Sequence, residues 1–399
     1  MHIVLISREF VSSLRGGGIA SYMKEMADGY VQLGHAVTVI CASDDTRLED
    51  DNVKDEIRVI RLSKGDFINP SIEGKNLIKK LRCMYRFYSY RKKIKNTLLK
   101  LQNVDIVEVP EFGAEGYYLN NMPFPIVTRL HTPTFLDRQT FKKKKYPITL
   151  YYEYWCALKE EHVLKRADYI TSCSKSLKEW VHQYFDVDIN KIEVIYNPIQ
   201  TQQWDRAIVS KFQEPTINIL FVGTVIEPKG IGDLIEACKI IIAQGKPVNL
   251  TIAGKLGRYG EQLKQLMINE SWCKFLGNVP RNNLSDIYLS NEIACFPSWW
   301  EAFGIICIEA MLSACLVIGS NSGGMIEIIE DGKDGFLLPP QNPQLLAEKI
   351  IEVYSLSDLE KATIKQNAKA KVNQRFSTVA VTNQMLQYYQ NVISQMNRQ

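Results

Sequence analysis

The sequence predicts an α/β protein that consists of two parallel-sheet domains. Three observations support this prediction. The chain has 399 residues, more than the roughly 100–200 residues of an ordinary domain, so two hydrophobic cores are expected. Two stretches, one from residue 2 and one from about residue 217, alternate short β-rich runs with segments of helical apolar spacing. This alternation is typical of βαβ units, which build parallel sheets.

The first domain begins with a strand, a glycine-rich loop, a helix and a second strand. Residues 2–6 are the first β-rich run, and residues 19–30 keep the apolar spacing of a helix after three consecutive glycines. Gly34 stops this helix, and residues 37–41 form the next strand. Further strands are predicted at residues 57–62, 106–109, 126–130, 169–172 and 191–195.

The second domain repeats the pattern. A strand at residues 219–223 is followed by a Pro-Lys-Gly turn and a helix over residues 231–244. The elements expected after that helix are strands at residues 249–253, 292–296 and 316–319 and a helix over 307–314.

These elements set the predicted domain boundaries. The first domain covers residues 1–198, a polar linker covers 199–216, and the second domain covers 217–380. A C-terminal helix over residues 381–399 is expected to pack back on the first domain. Ligands of parallel sheets bind outside the carboxyl ends of the strands. With two facing domains, the sequence therefore predicts a site in the cleft between them.

The composition argues against several classes of protein. Hydrophobic residues make up 46% and charged residues 23%, as in an ordinary globular protein. A net charge of +4 argues against a dedicated nucleic-acid binder. The nine cysteines include no pair at two-residue spacing, which favours buried, reduced thiols. Because we find neither a secretory signal nor an apolar run of ~18 residues, we expect a cytoplasmic protein.

Two glutamates in residues 296–311, which read FPSWWEAFGIICIEAM, are the first candidates for a site. Glu301 lies in an expected loop and Glu309 in the helix that follows. At about 1.5 Å per helical residue, their carboxylates stand between several ångströms and about 12 Å apart. That separation suits a nucleotide-sugar, with one carboxylate near the hexose and the other bridging two ribose hydroxyls. The alternative is a pair of solvated glutamates beside a core helix.

Short motifs surround this segment in a specific order. They are Phe221-Val-Gly, Pro228-Lys229-Gly230, Ala253-Gly254, Phe275-Leu-Gly277, Ser322-Gly323-Gly324, Glu327, Asp331-Gly332 and Gly335-Phe336. With these motifs the chain resembles the large retaining glycosyltransferase family 4, whose members have the two-domain GT-B fold. The resemblance covers most of the second domain. It extends more loosely to the first domain, at glycines 16–18, Gly34-His35 and His131.

The resemblance implies a role for the matching residues of the second domain. By this resemblance Glu301 contacts the donor sugar, Glu309 holds the ribose, and Lys229 binds the phosphates. An ammonium group there neutralises the charge that grows on the leaving diphosphate. The alternative for Lys229 is a surface lysine after a turn proline. Backbone groups that bind sugar hydroxyls are implied at Phe303, Gly304 and Ile305.

Thr224 is the clear departure from the family pattern. Members usually carry an arginine directly after the glycine of this first strand, and here the donor-site position holds threonine. The second phosphate cation is therefore missing from its usual place. Lys255 and Arg258, in a glycine-containing loop, are candidate replacements. A weaker set of cations puts catalytic activity in question.

The first domain contributes a histidine and a glycine loop. His131 follows a predicted strand, and by the resemblance it lies close to the donor sugar; a strand-end histidine can equally be structural. Gly17 and Gly18, with Gly16, permit close approach of backbone to phosphate or acceptor. The loop lacks the alternating glycines and distal acid of a dinucleotide-binding fingerprint.

Residues 75–100 carry ten basic residues and no acidic one. Leu77, Leu81, Met84 and Tyr88 make a helical apolar stripe that shifts by one position further on, and residues 142–145 are four more lysines. This pattern predicts contact with anionic lipid headgroups or an anionic acceptor. The alternative is the solvated face of a core-packed helix. No recognition motif accompanies the charge, so nucleic acid is not expected as a partner.

Together these features predict a retaining glycosyltransferase. It would move a hexose-type sugar from a nucleotide-diphosphate sugar to a hydroxyl of a glycan or lipid-linked acceptor. No Asp-x-Asp metal motif lies in a plausible site, so no metal or other cofactor is expected. A nucleotide-sugar epimerase, a glycosidase with carboxylates about 5–9.5 Å apart and a non-catalytic sugar-nucleotide binder are the alternatives.

Overall fold

The chain folds into two compact units. The computed structural model describes residues 1–10, 17–45, 47–63, 65, 77–137, 152–204 and 215–398. Unit 1 comprises Met1–Pro198 and Thr378–Gln399, and unit 2 comprises Ile199–Ser377. Residues 199–204 were predicted as part of a linker, but they belong to unit 2. There Trp204 is buried against the ring of Tyr288. Most of the remaining predicted linker lies outside the described residues.

Unit 1 is built on an eight-stranded sheet of order β3-β4-β2-β1-β5-β6-β7-β8. Every neighbouring pair is parallel except β3 and β4. The strands are β1 (His2–Ile6), β2 (Ala36–Ala42), β3 (Asp50–Lys54), β4 (Ile57–Leu62), β5 (Ile106–Pro110), β6 (Ile126–Leu130), β7 (Tyr169–Ser172) and β8 (Ile192–Val194). β3 was not predicted, since all five of its residues are exposed and it has no apolar face.

Helices cover both faces of this sheet. They are α1 (Gly18–Gln32), α2 (Leu77–Leu98), α3 (Thr134–Asp137), α4 (Tyr152–Arg166), α5 (Lys175–Phe185) and, from the C-terminus, α13 (Thr378–Met396). The period-2 alternation of β1 explains the two layers. Ile3 and Leu5 belong to the core shared with α1 and α13, whereas Val4 and Ile6 belong to the core shared with α2.

The C-terminal helix α13 is part of unit 1. It begins at Thr378, three residues before the predicted start and inside the predicted second domain. Its apolar face buries Val381, Met385 and Tyr389 against the core. The Tyr389 hydroxyl also donates a hydrogen bond of 2.6 Å to the Glu108 carboxylate of β5. Core packing and this buried bond hold the helix on the sheet.

Unit 2 contains a six-stranded, wholly parallel sheet. Counted within the unit, its strand order is 3-2-1-4-5-6, the order of a Rossmann-like doubly wound sheet. The strands are β9 (Ile217–Val222), β10 (Val248–Ala253), β11 (Cys273–Gly277), β12 (Ile293–Phe296), β13 (Leu316–Ser320) and β14 (Phe336–Leu338). The helices are α6 (Ile231–Ala243), α7 (Arg258–Leu266), α8 (Arg281–Leu289), α9 (Ile305–Leu312), α10 (Met325–Ile328), α11 (Pro343–Tyr354) and α12 (Asp358–Arg375).

The prediction of two parallel-sheet α/β domains is confirmed. Each strand predicted from a buried apolar run is present, with ends that differ by no more than two residues. Helix α9 begins two residues earlier than predicted and ends two residues earlier, at Leu312. This shift follows from Gly304, which caps the helix at a φ of 105°.

The predicted apolar stripe on α2 is wrong at Leu81, whereas Met84 and Tyr88 are half-buried and pack against the core cluster that contains Phe87. The buried face runs without a shift through Phe87, Arg91, Ile94 and Leu98, which keep one helical face. Leu81 lies on the opposite side and is 55% exposed. Arg91 is itself fully buried, so the basic residues of α2 are not confined to its solvated face. Residues 142–145 lie outside the described residues.

Candidate functional site

The candidate site of unit 2 lies at the point where its strand order reverses. β9 pairs with β10 on one side and with β12 on the other, so the loops after β9 and β12 leave the sheet in opposite directions. Such a switch point opens a crevice at the carboxyl ends of the strands. The loop after β9 carries Thr224 and Lys229, and the loop after β12 carries Glu301. The sheet topology thus brings three of the predicted residues to one edge.

Backbone contacts hold these two loops together. The Trp299 amide donates a hydrogen bond of 2.8 Å to the Pro228 carbonyl. Gly230 has a φ of 69°, and a β-carbon on it would lie 2.0 Å from the Pro297 carbonyl oxygen. Only glycine permits both the left-handed backbone and this close approach. The Trp299 indole adds a bond of 3.0 Å to the Asp233 carboxylate of α6.

The loop after β13 supports Glu301 from the other side. The Gly324 amide donates a hydrogen bond of 2.7 Å to the Glu301 carbonyl. Gly323 has a φ of 64°, and a β-carbon there would lie 2.1 Å from the same oxygen. The Ser322 hydroxyl donates to the Trp299 carbonyl at 2.9 Å. The Ser-Gly-Gly motif therefore fixes the backbone that presents Glu301.

Lys229 and Glu301 form an ion pair at the carboxyl edge of the sheet. The Lys229 ammonium donates to the Glu301 carboxylate across the two loops. The side chains are 24% and 18% exposed, so both groups reach solvent. A pair this accessible can exchange partners with a ligand at little cost. The arrangement places one cation and one hydrogen-bond acceptor where an anionic, hydroxyl-rich molecule would meet both.

Helix α9 carries the rest of the predicted site. Phe303 is buried with its ring 5.8 Å from that of Phe376, so its side chain belongs to the core. Gly304 caps the helix, and Ile305, half-buried, begins it. The first turn of a helix leaves its amides without intrahelical partners, which suits hydroxyl or phosphate oxygens. Glu309 follows one turn later, and its side chain is 7% exposed.

Thr224 is exposed in the loop after β9. The neighbouring amide of Val225 donates a hydrogen bond of 2.9 Å to the carbonyl of Lys255, and Val225 and Leu256 form a parallel bridge. The loop that carries Lys255 and Arg258 is thus attached to the loop that carries Thr224. Both cations are exposed.

Two residues of unit 2 near Glu309 were not predicted from the sequence. The Tyr288 hydroxyl donates to Glu309 Oε2 at 3.2 Å, and Arg281 Nη2 lies 3.5 Å from Glu309 Oε1. Both belong to α8, seven residues apart, which is two turns along one helical face. None of the motifs named in the sequence covers α8. The seven-residue spacing of Arg281 and Tyr288 becomes informative only when the structure shows that Glu309 faces this helix.

In unit 1 the glycine loop leads into helix α1. Gly17 caps the helix with an extended backbone, and Gly18 is its first residue. No heavy atom lies within 4 Å of a β-carbon built on Gly18, so the space above it is open. Gly16 lies outside the described residues.

His131 follows β6 at the carboxyl edge of the unit 1 sheet. Its ring packs edge-on against that of Tyr22 of α1, with centroids 4.9 Å apart. The residue is buried, and its Nε2 atom has no hydrogen-bond partner among the described residues. Burial, together with the nearby Arg129 guanidinium, lowers the pKa of His131 well below its usual value. The imidazole is therefore neutral at pH 7 and can accept a hydrogen bond.

Glu111 and Glu160 are unpredicted acids of the same edge. Glu111 Oε1 accepts a hydrogen bond of 2.8 Å from the His131 amide, and burial raises the pKa of this carboxyl to about 8. Glu160 accepts bonds from the amides of Gly113 and Thr134 at 2.7 and 2.8 Å. Glu111 lies two residues after the predicted strand at 106–109, and that position was the available sequence signal.

The predicted residues therefore fall into two groups, one in each unit. Unit 1 brings His131 to the same sheet edge as the start of α1, and unit 2 assembles the remaining predicted residues around β9, β12 and α9. The described part of the chain contains no group of three or more His, Cys, Asp or Glu side chains arranged to hold a metal ion. Among the described helices, none is both long and apolar enough to cross a bilayer.

Two family models match the chain almost end to end. The model for glycosyl transferases group 1 matches residues 202–370, and the model for glycosyltransferase family 4 matches residues 16–203. An uncharacterized glycosyltransferase of Methanocaldococcus jannaschii is 28% identical over the full length of both chains. The capsular polysaccharide biosynthesis glycosyltransferase CapM of Staphylococcus aureus is 29% identical, over 65% of this chain and 70% of its own.

Solved structures show the same fold. Sucrose-phosphate synthase from Thermosynechococcus elongatus superposes with a TM-score of 0.78 at 20% identity, over 98% of this chain and 99% of its own. The Anabaena protein HepE, in complex with UDP and glucose, superposes with a TM-score of 0.72 at 19% identity, over 98% and 100%. Fold and site thus define a glycosyltransferase of the GT-B fold. The chain belongs to the group 1 glycosyl transferases, of the family 4 type.

Proposed function

We propose that this glycosyltransferase moves a hexose-type sugar, with retention of configuration, from a nucleotide-diphosphate sugar to a hydroxyl group. The observation that carries the proposal is the Lys229–Glu301 ion pair at the switch point of the unit 2 sheet. Its cation suits a diphosphate and its carboxylate suits sugar hydroxyls. Glu309, on the adjoining helix α9, is a second carboxylate for the ribose hydroxyls.

In the proposed reaction Lys229 turns from Glu301 to the diphosphate of the donor. Its ammonium and the first amides of α9 neutralise the charge that grows as the anomeric carbon–oxygen bond breaks. Glu301 is then free to accept hydrogen bonds from the donor sugar. The acceptor hydroxyl attacks from the face that the diphosphate leaves, and the leaving phosphate takes its proton. Lys229 supplies the positive charge in this scheme, so we propose that transfer needs no metal or other cofactor.

For the donor we propose a nucleoside diphosphate sugar such as a UDP-sugar. The structure of HepE contains UDP and glucose on a chain of the same fold. For the acceptor we propose a glycan or a lipid-linked glycan in cell-surface polysaccharide synthesis. CapM, a relative over most of this chain, is named for capsular polysaccharide biosynthesis. We place the reaction in the cytoplasm, at the inner face of the membrane.

The outer face of α2 supports a membrane-surface location. Ile78, Leu81 and Tyr85 are 79%, 55% and 68% exposed, which is unusual for large apolar side chains. Arg82 and Lys92 are exposed on the same helix. Apolar and cationic groups together suit a membrane surface that carries anionic headgroups. We therefore propose that α2 holds the enzyme against anionic lipid.

A thermal-shift experiment tests the donor proposal. UDP, GDP and ADP and their common sugar conjugates are added, without metal, to the purified protein. A ligand that binds only the folded state stabilises it by about 2.7 kcal/mol at a hundredfold excess over Kd, which raises Tm by several degrees. We expect one nucleotide series to give this shift.

Two lysines make a matched pair for this experiment. Lys229→Met should remove most of the nucleotide-dependent shift, because it deletes the phosphate cation. Lys333→Met should leave the shift unchanged. Lys333 also forms an ion pair with a glutamate, Glu330, but this pair is exposed and is not part of the proposed donor site. If no nucleotide shifts the wild-type Tm, the donor proposal is wrong. A shift without any sugar transfer would instead indicate a non-catalytic binder, in which Thr224 in place of the usual arginine has abolished catalytic activity.

A further inference from the structure

Helix α8 holds the Glu309 carboxylate from both of its oxygens. The Tyr288 hydroxyl donates to Oε2 at 3.2 Å, and Arg281 Nη2 lies 3.5 Å from Oε1. The carboxylate is almost buried, with the side chain 7% exposed. A buried carboxylate needs hydrogen-bond donors and a nearby cation to remain ionised. The two residues of α8 supply one of each.

Tyr288 is fixed in place by its surroundings. The side chain is fully buried, and its ring stands edge-on to Trp204 with centroids 5.7 Å apart. Burial and the neighbouring Glu309 raise the pKa of Tyr288 well above its usual value, so the hydroxyl keeps its proton. The Ile306 carbonyl is also near this hydroxyl, at 3.4 Å, but Glu309 is the closer acceptor.

Arg281 differs from Tyr288 in accessibility. Its side chain is 34% exposed, whereas the carboxylate it faces is 7% exposed. It lies at the start of α8, so its guanidinium reaches Glu309 from the solvent side of the site. The two contacts, one to each carboxylate oxygen, therefore orient the Glu309 side chain.

We propose that Tyr288 and Arg281 are positioning residues for recognition of the ribose. They set the orientation in which Glu309 accepts hydrogen bonds from the 2′- and 3′-hydroxyls of the donor nucleotide. The inference rests on the proposed function, because it takes a nucleotide to be the donor. Its consequence is selectivity: the wild-type protein prefers a ribonucleotide to its 2′-deoxy counterpart, and this preference depends on α8.

The experiment compares the Kd values of UDP and 2′-deoxy-UDP by calorimetry; ADP and 2′-deoxy-ADP are used if the protein binds adenine nucleotides. A hydrogen bond to a charged group corresponds to a difference of about tenfold or more in Kd. We expect about this ratio for the wild type. In Tyr288→Phe and in Arg281→Met it should fall to about threefold or less. Arg281→Lys, which keeps the cation, should retain most of the wild-type ratio.

Tyr389→Phe is the matched control. Tyr389 is also a fully buried tyrosine that donates to a buried carboxylate, Glu108, but it lies in unit 1. Its loss should leave the ratio at the wild-type value. Because Arg281 is partly exposed, Arg281→Met tests the proposal even if Tyr288→Phe does not fold.

The outcomes separate this inference from the proposed function. A wild-type protein that binds no nucleoside diphosphate contradicts the proposed function itself. A wild type that binds UDP and 2′-deoxy-UDP equally, or variants of Tyr288 and Arg281 that keep the full ratio, overturns the role of α8. Tighter UDP binding by Arg281→Met would show that the ion pair competes with the ribose, and would overturn the role given to Arg281.

Discussion

Unit 1 and unit 2 use charged side chains in different ways. In unit 1 a set of ionisable side chains is completely removed from solvent, and burial raises the pKa of one of them, Glu111, to about 8. They are Arg91, Arg129, Glu108, Glu111 and Glu160, each 0% exposed. In unit 2 the Lys229–Glu301 pair of the candidate site stays in contact with water, as the 24% and 18% exposure of its side chains shows. Buried charges are costly to leave without partners, whereas exposed pairs exchange partners readily. The first arrangement maintains a scaffold, and the second can bind a ligand.

Arg129 illustrates the scaffold role in unit 1. Its guanidinium donates to the Asn197 side chain at 2.8 Å and stands over the ring of Tyr22, 4.7 Å from the centroid. Tyr22 in turn packs against His131. The buried Arg129 guanidinium is thus linked through Tyr22 to His131, the residue that the family resemblance places close to the donor sugar. Its bond to Asn197 joins β6 to the segment that follows β8.

The largest effect expected from this comparison is on the stability of unit 1. Arg91 donates to the carbonyls of Phe87, Gly113 and Ala114, with bonds of 2.9 to 3.1 Å among them. Arg91→Met would remove the side-chain donor from all three carbonyls, whereas the Ala114 carbonyl keeps its bond from the Tyr117 amide. We expect the free energy of unfolding to fall by about 3 kcal/mol, measured by urea denaturation with a probe in unit 1.

Two controls sharpen this prediction. Lys92→Met changes the adjacent, exposed cation and should alter the unfolding free energy by no more than about 0.5 kcal/mol. Lys333→Met in unit 2 removes an exposed pair with Glu330 and should cost about 1 kcal/mol or less. If all three variants lost the same stability, the contrast between the units would not hold.

The next effect is catalytic and belongs to unit 2. Glu301→Gln should lower kcat by about 10²-fold, because the acceptor it offers to the donor sugar is weakened in the transition state. Binding of the free nucleotide should change much less. Glu309→Gln should do the reverse, weakening nucleotide binding first. Steady-state kinetics and calorimetry on both variants provide the measurement; equal effects of both variants on both quantities would contradict the division of roles.

The smallest effect concerns the surface of α2 in unit 1. The protein should bind liposomes that contain anionic phospholipid, and binding should weaken as salt is added. Each cation removed, as in Arg82→Ala or Lys92→Ala, should cost about 1 kcal/mol of binding energy. Lys264→Ala, an exposed lysine of unit 2, is the matched control and should have no effect. Binding that is absent, or unaffected by salt, would favour a helix that is only solvated.

Much of the fold could be predicted from local sequence. Residues 3–6 of β1 and 219–222 of β9 are unbroken apolar runs, and their pattern is independent of the rest of the chain. β3 could not be predicted, because backbone pairing with β4 holds it at the edge and its one apolar side chain, Val53, is exposed. The buried face of α2 was predicted wrongly because it includes Arg91, and the prediction followed apolar residues alone. A charged side chain can occupy a core position when carbonyls from another segment satisfy it.

The candidate site shows the same division. Lys229, Glu301 and Glu309 each lie in a short motif, and the order and spacing of these motifs can be read from the sequence. Arg281 and Tyr288 lie in no such motif, because their contact with Glu309 joins two separate helices. Glu111 follows a recognisable strand, but its proximity to the His131 backbone depends on the pairing of β5 with β6.

By itself the sequence determined the two α/β cores, the family, and the loops that carry the motif residues. These features depend on apolar periodicity and on glycines with required conformations, both of which are properties of short segments. Only the tertiary structure decided which charges are buried and which carboxylate each cation faces. It also decided that α13 begins at Thr378 and not at residue 381. Burial and ion pairing depend on which distant segments meet, and the free energy of a charge depends on those neighbours more than on its own position in the chain.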